Sequence, residues 1–354
     1  MSALRIGLDA RLFGRGLGIA TYLDGLARAL AQRDDVSEVV MLGGGTGSAP
    51  GMSCVRGGVS AALADPRLGR RRLADLKLDV VHFCGNIGWL RPGECPHALT
   101  VHDAIFLDAR GRTMRQIVGR AAMRLLVPRS ISAAPVLITV AEATRAHLVR
   151  LGSGDRDVFV CPHGAPDDIV PVAGPRTDVL LFAASDPRKG TTLALQIWEE
   201  ALPRLPAATR LHVLSAAGIA EHDARYAARL ARTQVHGRLE RSELAVMLGT
   251  ARALLHTSSA EGFGLPVLEA MTGGTIVVGA LSPTARWIAG DALAGDGAPG
   301  GAQAPQLADA LVAVCRDDEL ATRLRERGLF RAAGFTWAAS AEKHVQAYRV
   351  AIGA

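Results

Sequence analysis

The residues with the most evident chemistry lie in the segment SSAEGFGLPVLEAMTGG, positions 258–274. A strand pattern ends there, a turn containing glycines follows, and Pro266 stands at a first-turn position that suits the start of a helix. The amides at such a start have no partner within the helix, and Gly262 and Gly264 allow a ligand to approach the backbone closely. The segment can therefore cradle a diphosphate.

Two glutamates frame this turn. Glu261 stands just before it, and Glu269 lies eight positions later, inside the predicted helix. A carboxylate in either place can accept hydrogen bonds from two adjacent hydroxyls, as a sugar or a ribose presents them. An ordinary strand–turn–helix with a pair of surface glutamates is the alternative interpretation of the spacing alone.

A basic turn, SDPRKG at 185–190, follows the strand pattern DVLLFAA and precedes a helix that begins near Thr191. Arg188 and Lys189 in this turn would lie at the carboxyl edge of a sheet. Paired cations at such an edge can neutralise a diphosphate leaving group. A solvated basic turn is the alternative.

The N-terminal half offers a histidine and a glycine loop. His102 and Asp103 end the buried strand pattern of TVHDAIFL, and a histidine at a strand's carboxyl edge faces the ligand-binding edge of an open α/β sheet. Asp103 either orients the histidine or caps the next turn. Gly16 and Gly18 follow the first strand pattern and would let the backbone approach donor phosphate or acceptor.

Alternating patterns predict the elements that position these residues. Short aliphatic runs alternate with longer helical stretches, which is typical of parallel strands joined by crossover helices. The predicted strands are LRIGLDA, VSEVVML, DVVHFCG, HALTVHD, VLITVAE, DVFVCPHG, DVLLFAAS, TRLHVLS, ARALLHTSS and TIVVGAL, and the predicted helices cover 190–202, 221–232, 241–250, 265–272 and 306–334.

The length of 354 residues, 49% of them hydrophobic, predicts two domains, because one core seldom stays compact far beyond ~250 residues. Residues 165–177 contain three prolines and predict a linker between them. We therefore expect domains at 1–168 and 169–335, a surface loop at 290–305, and a last helix in 336–354 that packs back on the N-terminal domain. Two such sheets would face each other across a central cleft.

The segments quoted above resemble glycosyltransferase family 4. The string EGFGLPVLEA is similar to the family's motif, whose first glutamate contacts the transferred sugar, whose following amides hold the diphosphate, and whose second glutamate binds the ribose. The resemblance gives the sugar to Glu261 and the ribose to Glu269, and it gives the diphosphate to the amides of Gly262, Phe263, Gly264 and Leu265.

Other segments resemble the same family in order along nearly the whole chain. Its PRK segment contacts the diphosphate, a role that falls on Arg188 and Lys189, and its VHD segment places the histidine, here His102, close to the donor sugar. A further arginine in some members is replaced by Ala183, which leaves the diphosphate to Arg188 and Lys189. The glycine loop is similar too, although Ala20 and Thr21 stand where many relatives have Gly and Arg.

The resemblance implies the GT-B fold, two Rossmann-like domains, and a retaining, metal-independent hexosyltransferase. It implies transfer of a sugar from a nucleotide-sugar donor to a hydroxyl of a glycan or lipid-linked acceptor, in polysaccharide, glycolipid or cell-envelope glycan synthesis. GDP-mannose is the first expected donor, and a UDP-sugar is the alternative. A GT-B epimerase, a coupling enzyme and a catalytically silent nucleotide-sugar-binding partner stay open as other functions.

The charge and composition of the chain indicate what kind of partner and location to expect. Lys and Arg number 40 against 34 Asp and Glu, a small excess that favours an anionic partner without indicating nucleic acid. Arginines cluster at 67–76 and 110–129, either as solvated helix faces or as contacts with an anionic membrane. Five scattered cysteines and no apolar run of membrane-spanning length favour a cytoplasmic protein that is soluble or peripheral at the inner face of the membrane.

No cofactor and no metal site is expected from the sequence. Asp155 and Asp157 form a DxD pair, a pattern that chelates a metal in another glycosyltransferase fold. Here the pair precedes the strand VFVCP in a loop, and a solvated turn is the preferred interpretation.

Overall fold

The structure is a computed structural model. It describes residues 2–12, 17–44, 50–55, 59–64, 73–93, 95–107, 114–215, 218–297 and 304–353. Gly16 and the arginines at 67–72 and 110–112 lie outside the described residues. The chain forms two compact units: unit 1 comprises Met1–Gly164 with Phe335–Ala354, and unit 2 comprises Ala165–Gly334.

Unit 1 is built on a parallel sheet. Its described strands are β1 (Leu4–Asp9), β2 (Val36–Leu42), β3 (Met52–Val55), β4 (Val80–Phe83), β5 (His97–Val101), β6 (Val136–Thr139) and β7 (Val158–Val160). They lie in the order β3-β2-β1-β4-β5-β6-β7. The short strand β3 was not predicted, since its half-buried residues show no aliphatic run.

Helices cover this sheet. The described ones are α1 (Leu17–Ala31), α2 (Val59–Ala64), α3 (Met114–Ala133), α4 (Glu142–Arg150) and α12 (Trp337–Gly353). The last helix belongs to unit 1, as the sequence predicts, although it follows the whole of unit 2 in the chain. Its buried residues recur at helical spacing and include Ser340, His344, Tyr348 and Ala351.

A chain of buried hydrogen bonds ties α12 to the sheet. Tyr348 Oη lies 2.8 Å from His82 Nδ1, and His82 Nε2 lies 2.7 Å from Thr100 Oγ1. Thr100 Oγ1 lies 3.0 Å from Tyr22 Oη, which lies 2.8 Å from His344 Nε2. These five side chains are fully buried and come from α1, β4, β5 and α12. Buried polar groups require such partners, so the chain specifies where α12 docks.

The donors along this chain follow by elimination. His344 Nδ1 lies 2.7 Å from the Ser340 carbonyl, which only accepts, so Nδ1 carries the proton. Because burial lowers the pKa of His344 to about 4, the ring is neutral and its Nε2 accepts from Tyr22. Tyr22 then accepts from Thr100, and Thr100 accepts from His82. Every member is satisfied only while both histidines are uncharged.

Unit 2 contains a second parallel sheet. Its described strands are β8 (Val179–Phe182), β9 (Leu211–Leu214), β10 (Thr233–His236), β11 (Ala253–Leu255), β12 (Ile276–Ala280) and β13 (Leu293–Gly297). They lie in the order β10-β9-β8-β11-β12-β13. Within the described residues its helices are α5 (Thr191–Ala201), α6 (Glu221–Arg229), α7 (Arg241–Thr250), α8 (Leu265–Thr272), α9 (Pro283–Ala289), α10 (Ala304–Arg316) and α11 (Asp318–Ala333).

The predicted surface loop at 290–305 is partly wrong. Gly290–Ala292 forms a 3₁₀ turn, β13 pairs in parallel with β12, and α10 begins at Ala304. The Gly- and Ala-rich composition conceals the strand, because its pairing with β12 is a long-range contact. Among the helices that the structure describes, none combines the length and apolar character that a bilayer crossing needs.

The buried histidines of unit 1 predict that this unit loses stability in mild acid. Burial lowers the pKa of His82, His163 and His344 below the ordinary histidine value of about 6.5. The unfolded chain therefore binds more protons below that pH, and stability falls as the pH drops from about 6.5 toward 4. For His344 alone we expect a loss of about 2 kcal/mol by pH 5.

Urea unfolding followed across this pH range tests the expectation. His344→Gln removes one titrating group and should flatten the pH dependence. His222→Gln is the control, because that side chain is 72% exposed and lies in unit 2, outside the buried hydrogen-bond chain. A midpoint that stays constant between pH 7 and 5 would contradict the assignment of neutral buried histidines.

Candidate active site

The strand order of unit 2 places two predicted segments side by side. β8 pairs with β9 on one side and with β11 on the other, so the chain changes direction across the sheet between β8 and β11. Ligands of open α/β sheets bind at the carboxyl ends of the strands on either side of such a switch point. The basic turn at 185–190 follows β8, and the turn at 256–264 follows β11.

Hydrogen bonds join these two turns directly. The Ser259 amide donates to the Arg188 carbonyl over 2.8 Å. Thr257 Oγ1 donates to the carbonyls of Lys189 and Gly190, at 3.1 and 2.9 Å. Gly190 has a φ of 65°, and a Cβ there would lie 2.4 Å from the Thr257 carbonyl oxygen. Only glycine permits this approach.

The contact between the two turns brings Lys189 and Glu261 together. Lys189 Nζ lies 2.8 and 3.0 Å from the two carboxylate oxygens of Glu261. The Glu261 side chain is 11% exposed and that of Lys189 is 33% exposed. A charge-assisted contact this short fixes the carboxylate of the first glutamate beside the basic turn.

His256 lies beside Glu261, and its role was not predicted from the sequence. Its Nε2 is 3.6 Å from Glu261 Oε1, beyond hydrogen-bonding distance, and makes no hydrogen bond within the described residues. Burial lowers the pKa of His256 to about 4, so the ring is neutral. Its place directly after β11 was a signal, because side chains at strand ends line such sites.

Arg188 has a partner of its own. Its guanidinium binds Asp186 through Nε, at 3.0 Å, and through Nη2, while the Asp186 carboxylate also accepts from the Arg188 amide. The arginine therefore uses one edge to brace its own turn. Its guanidinium carries further donors, so the same side chain can bind a phosphate oxygen without leaving Asp186.

The glycine turn leads into α8 as the sequence predicts. Gly264 has a φ of 101° and stands at the N-cap position, followed by Leu265 and Pro266 in the first turn. Phe263 is 5% exposed, and its burial anchors the turn. The amides of this helix start follow Glu261 closely in the chain, so they and Lys189 can act on one anion.

Glu269 lies in α8 and is held by Arg241, which was not predicted from the sequence as a site residue. Arg241 Nη1 donates to Glu269 Oε1 over 2.6 Å. The other donors of Arg241 bind Asp168, with Nε at 2.6 Å and Nη2 at 2.8 Å. Burial raises the pKa of Glu269, and the charge of Arg241 opposes that rise. No spacing in the sequence links these three positions.

His102 belongs to unit 1 and follows β5. Its Nε2 donates to the Cys84 carbonyl over 2.9 Å, and its amide donates to Asn86 Oδ1 over 2.7 Å. Burial lowers its pKa, so in the neutral ring Nδ1 carries the lone pair. The Asp103 carboxylate accepts from the Ile105 amide over 3.0 Å, which is the turn-capping alternative.

The structure also describes Gly18 and the two aspartates of the DxD pair. Gly18 is exposed and lies in the first turn of α1, inside the helix instead of the expected loop. Asp155 and Asp157 are exposed and precede β7. Among the described residues, no group of three or more His, Cys, Asp or Glu side chains is arranged to hold a metal ion.

Comparison with known proteins gives the family and the fold. Residues 17–168 match the family model described as Glycosyltransferase Family 4, and residues 178–329 match the one described as Glycosyl transferases group 1. The chain belongs to glycosyltransferase family 4, and its two units have the GT-B architecture. A comparison of the sequence with curated proteins finds no match.

Solved structures share the fold. Sucrose-phosphate synthase from Thermosynechococcus elongatus has a TM-score of 0.74 at 18% identity, over 98% of each chain. WaaG, a glycosyltransferase involved in lipopolysaccharide biosynthesis, has a TM-score of 0.69 at 16% identity, over 96% of this chain and 98% of that one. A TarM from S. aureus in complex with UDP has a TM-score of 0.61 at 15% identity, over 80% and 58%. At these identities the likeness shows the fold alone.

The close approach at Gly190 gives a stability prediction. Gly190→Ala should destabilise unit 2 by about 1–3 kcal/mol, because alanine is strained at positive φ and its Cβ would meet the Thr257 carbonyl. Gly237→Ala is the control, since no atom lies within 4 Å of its Cβ position. Urea unfolding measures both, and equal stability of the two variants would rule out a tight contact between the turns.

Proposed function

We propose that the protein is a retaining, metal-independent hexosyltransferase that moves a sugar from a nucleoside-diphosphate donor to an acceptor hydroxyl. The observation that carries this proposal is the contact of Lys189 with Glu261. It joins the residue assigned to the diphosphate with the residue assigned to the transferred sugar, at the switch point of one sheet. A donor bound there presents its diphosphate to Lys189 and its sugar to Glu261, on the two sides of this contact.

The proposed reaction breaks the bond between the anomeric carbon and the phosphate oxygen. The acceptor oxygen forms its bond to the anomeric carbon on the same face, and its proton passes to the departing phosphate. Lys189, the outer edge of Arg188 and the amides at the start of α8 stabilise the negative charge that develops on the leaving group. This charge stabilisation needs no bound metal.

The sugar and ribose contacts divide among three further residues. Glu261 accepts hydrogen bonds from the sugar hydroxyls, and Glu269 accepts them from the ribose. His102 offers the Nδ1 lone pair to a sugar hydroxyl, since its Nε2 proton is bound by the Cys84 carbonyl. Gly16 and Gly18 are proposed to approach donor phosphate or acceptor.

GDP-mannose is the proposed donor, on the resemblance of the PRK segment to relatives that handle mannose. The S. aureus TarM structure contains UDP, which makes UDP-sugars the first alternative to compare. A thermal-shift screen of GDP- and UDP-sugars discriminates them, because a ligand stabilises according to its concentration over its dissociation constant. Product analysis with the selected donor separates transfer from epimerisation and from silent binding.

The proposed acceptor is a glycan or a lipid-linked saccharide in polysaccharide or cell-envelope glycan synthesis, used by a cytoplasmic enzyme at the inner face of the membrane. Helix α3 supports this location. It exposes large apolar side chains, with Met114, Val118 and Leu125 at 72%, 61% and 55%. Exposed arginines stand among them, Arg124 and Arg129. Apolar and basic side chains on one helix suit a bilayer interface.

Substitution of Glu261 and substitution of Glu269 should impair nucleotide binding and turnover in different ways. Glu269→Ala should weaken binding of the bare nucleoside diphosphate and of the donor alike, because both contain the ribose, and should mainly raise the donor KM. Glu261→Ala should lower kcat/KM through the sugar contact. Its nucleoside diphosphate affinity should be unchanged or tighter, since Lys189 loses a competing carboxylate. His102→Ala should resemble Glu261→Ala.

Calorimetry with GDP and UDP on these variants gives the affinities, and initial rates give kcat and KM. If Glu261→Ala loses nucleoside diphosphate affinity as severely as Glu269→Ala, the assignment of sugar and ribose contacts is wrong.

Activity should survive metal removal. Because the positive charge comes from Lys189, Arg188 and helix amides, turnover in excess EDTA should equal turnover without it. The measurement is product formation before and after chelation. Complete loss with EDTA that Mn²⁺ restores would overturn the metal-independent mechanism.

The membrane contact through α3 should depend on charge and on apolar side chains together. The protein should co-sediment with vesicles containing phosphatidylglycerol, less with pure phosphatidylcholine, and less at high salt. Val118→Asp should reduce binding. Val149→Asp is a matched control, since Val149 is 68% exposed on α4. Equal partitioning of the unchanged protein onto both vesicle types would exclude the contact.

A further inference from the structure

Arg241 connects two carboxylates in unit 2 through one guanidinium. Its Nε and Nη2 form a fork on Asp168, and its Nη1 donates to Glu269 Oε1 over 2.6 Å. The Glu269 side chain is 13% exposed, whereas Arg241 and Asp168 are 44% and 48% exposed. The contact of Arg241 with Glu269 is therefore more shielded from solvent than its contact with Asp168.

The placement of this arginine is electrostatically unfavourable for its own helix. Arg241 is the first residue of α7, where the helix dipole disfavours a positive charge. The half-exposed pair with Asp168 stabilises the fold by only about 0–1 kcal/mol. Neither term accounts for a guanidinium that is held through three of its donors, whereas an effect on Glu269 does.

A glutamate side chain has freely rotating bonds, and fixing it costs up to about 2 kcal/mol of rotamer entropy. A carboxylate that receives two neighbouring ribose hydroxyls must stand in one orientation. The bond from Arg241 fixes Oε1 in advance, and Oε2 takes no part in that bond. The carboxylate is thus oriented before any nucleotide arrives. Nucleotide binding therefore does not lose the free energy that ordering this side chain requires.

We infer that Arg241, itself oriented by Asp168, is a positioning residue that holds Glu269 for the ribose and thereby sets the preference for ribonucleotide over deoxyribonucleotide donors. The inference rests on the proposed function, in which Glu269 binds the ribose. It adds the two residues that make this contact selective, and it concerns the nucleotide instead of the sugar.

The test is the ratio of dissociation constants for 2′-deoxy-GDP and GDP, measured by calorimetry, with the UDP pair used if uridine binds more tightly. A hydrogen bond to a charged group predicts a ratio of about ten or more in the unchanged protein. Arg241→Gln should reduce this ratio several-fold, because it lowers the affinity for GDP. The donor KM should rise, and kcat should be nearly unchanged. Arg241→Lys should restore part of the ratio, and Asp168→Asn should lie between.

Controls separate positioning from damage to the fold. Thermal unfolding of each variant comes first, and Arg225→Gln serves as the matched change, because Arg225 forms an exposed pair with Glu221 on α6. Arg225→Gln should keep the full ratio. The double variant Arg241→Gln with Glu269→Ala should be no worse than Glu269→Ala alone, since the two residues act through one contact.

The two glutamate and arginine variants distinguish a failure of the inference on Arg241 from a failure of the ribose assignment. If Glu269→Ala abolishes the preference for ribose and Arg241→Gln keeps it, the inference on Arg241 is overturned while the ribose site stands. If Glu269→Ala itself keeps the preference, the assignment of the ribose to Glu269 in the proposed function is wrong.

Discussion

The site in unit 2 depends on the hydrogen bonds that join the turn after β8 to the turn after β11. Each turn also has bonds of its own, such as those of Arg188 with Asp186, but these do not fix one turn against the other. The Thr257 hydroxyl and the Ser259 amide bind the carbonyls of the basic turn, and Gly190 permits the close approach that these bonds require. The Lys189–Glu261 contact follows from that constraint, because both side chains leave backbones that are already fixed side by side.

Charge in the site is arranged in matched pairs. Lys189 faces Glu261, Arg188 faces Asp186, and Arg241 faces both Asp168 and Glu269. A charged side chain that is already oriented needs little rearrangement when a ligand binds, which is the basis of electrostatic preorganisation. The hydrogen bond and charge of Arg241 lower the pKa of Asp168, and at Asp186 burial, which alone would raise the pKa, is outweighed by Arg188.

In unit 1, neutral hydrogen-bonding side chains fix the position of the last helix. The helix α12 is far from its neighbours in sequence, and an apolar face alone would tolerate several docking positions. The chain of hydrogen bonds from Tyr348 through His82, Thr100 and Tyr22 to His344 accepts one position only, because every buried donor must meet its acceptor. These side chains therefore specify where the last helix docks on unit 1.

The sequence by itself determined the class of fold, the two Rossmann-like domains, the returning last helix and the family. The strands and helices are local or periodic features: aliphatic runs predict strands, and the EGFG segment predicts a strand–turn–helix whatever surrounds it. The GT-B fold and the family follow from the resemblance of the motifs along the chain. The predicted helices over 190–202, 241–250 and 265–272 correspond closely to α5, α7 and α8. The strand β13 was missed because its identity lies in its pairing with β12 and not in its own residues.

Only the tertiary structure decided which charged side chains meet. Arg241 is 28 positions from Glu269 and Asp168 is 73 positions from Arg241, and no periodicity relates them. The same holds for His256 beside Glu261 and for the hydrogen-bond chain that binds α12. Such contacts arise where strands and helices distant in the chain converge at one sheet edge, and the physical reason is that strand order and register, which fix these distances, are properties of the folded sheet.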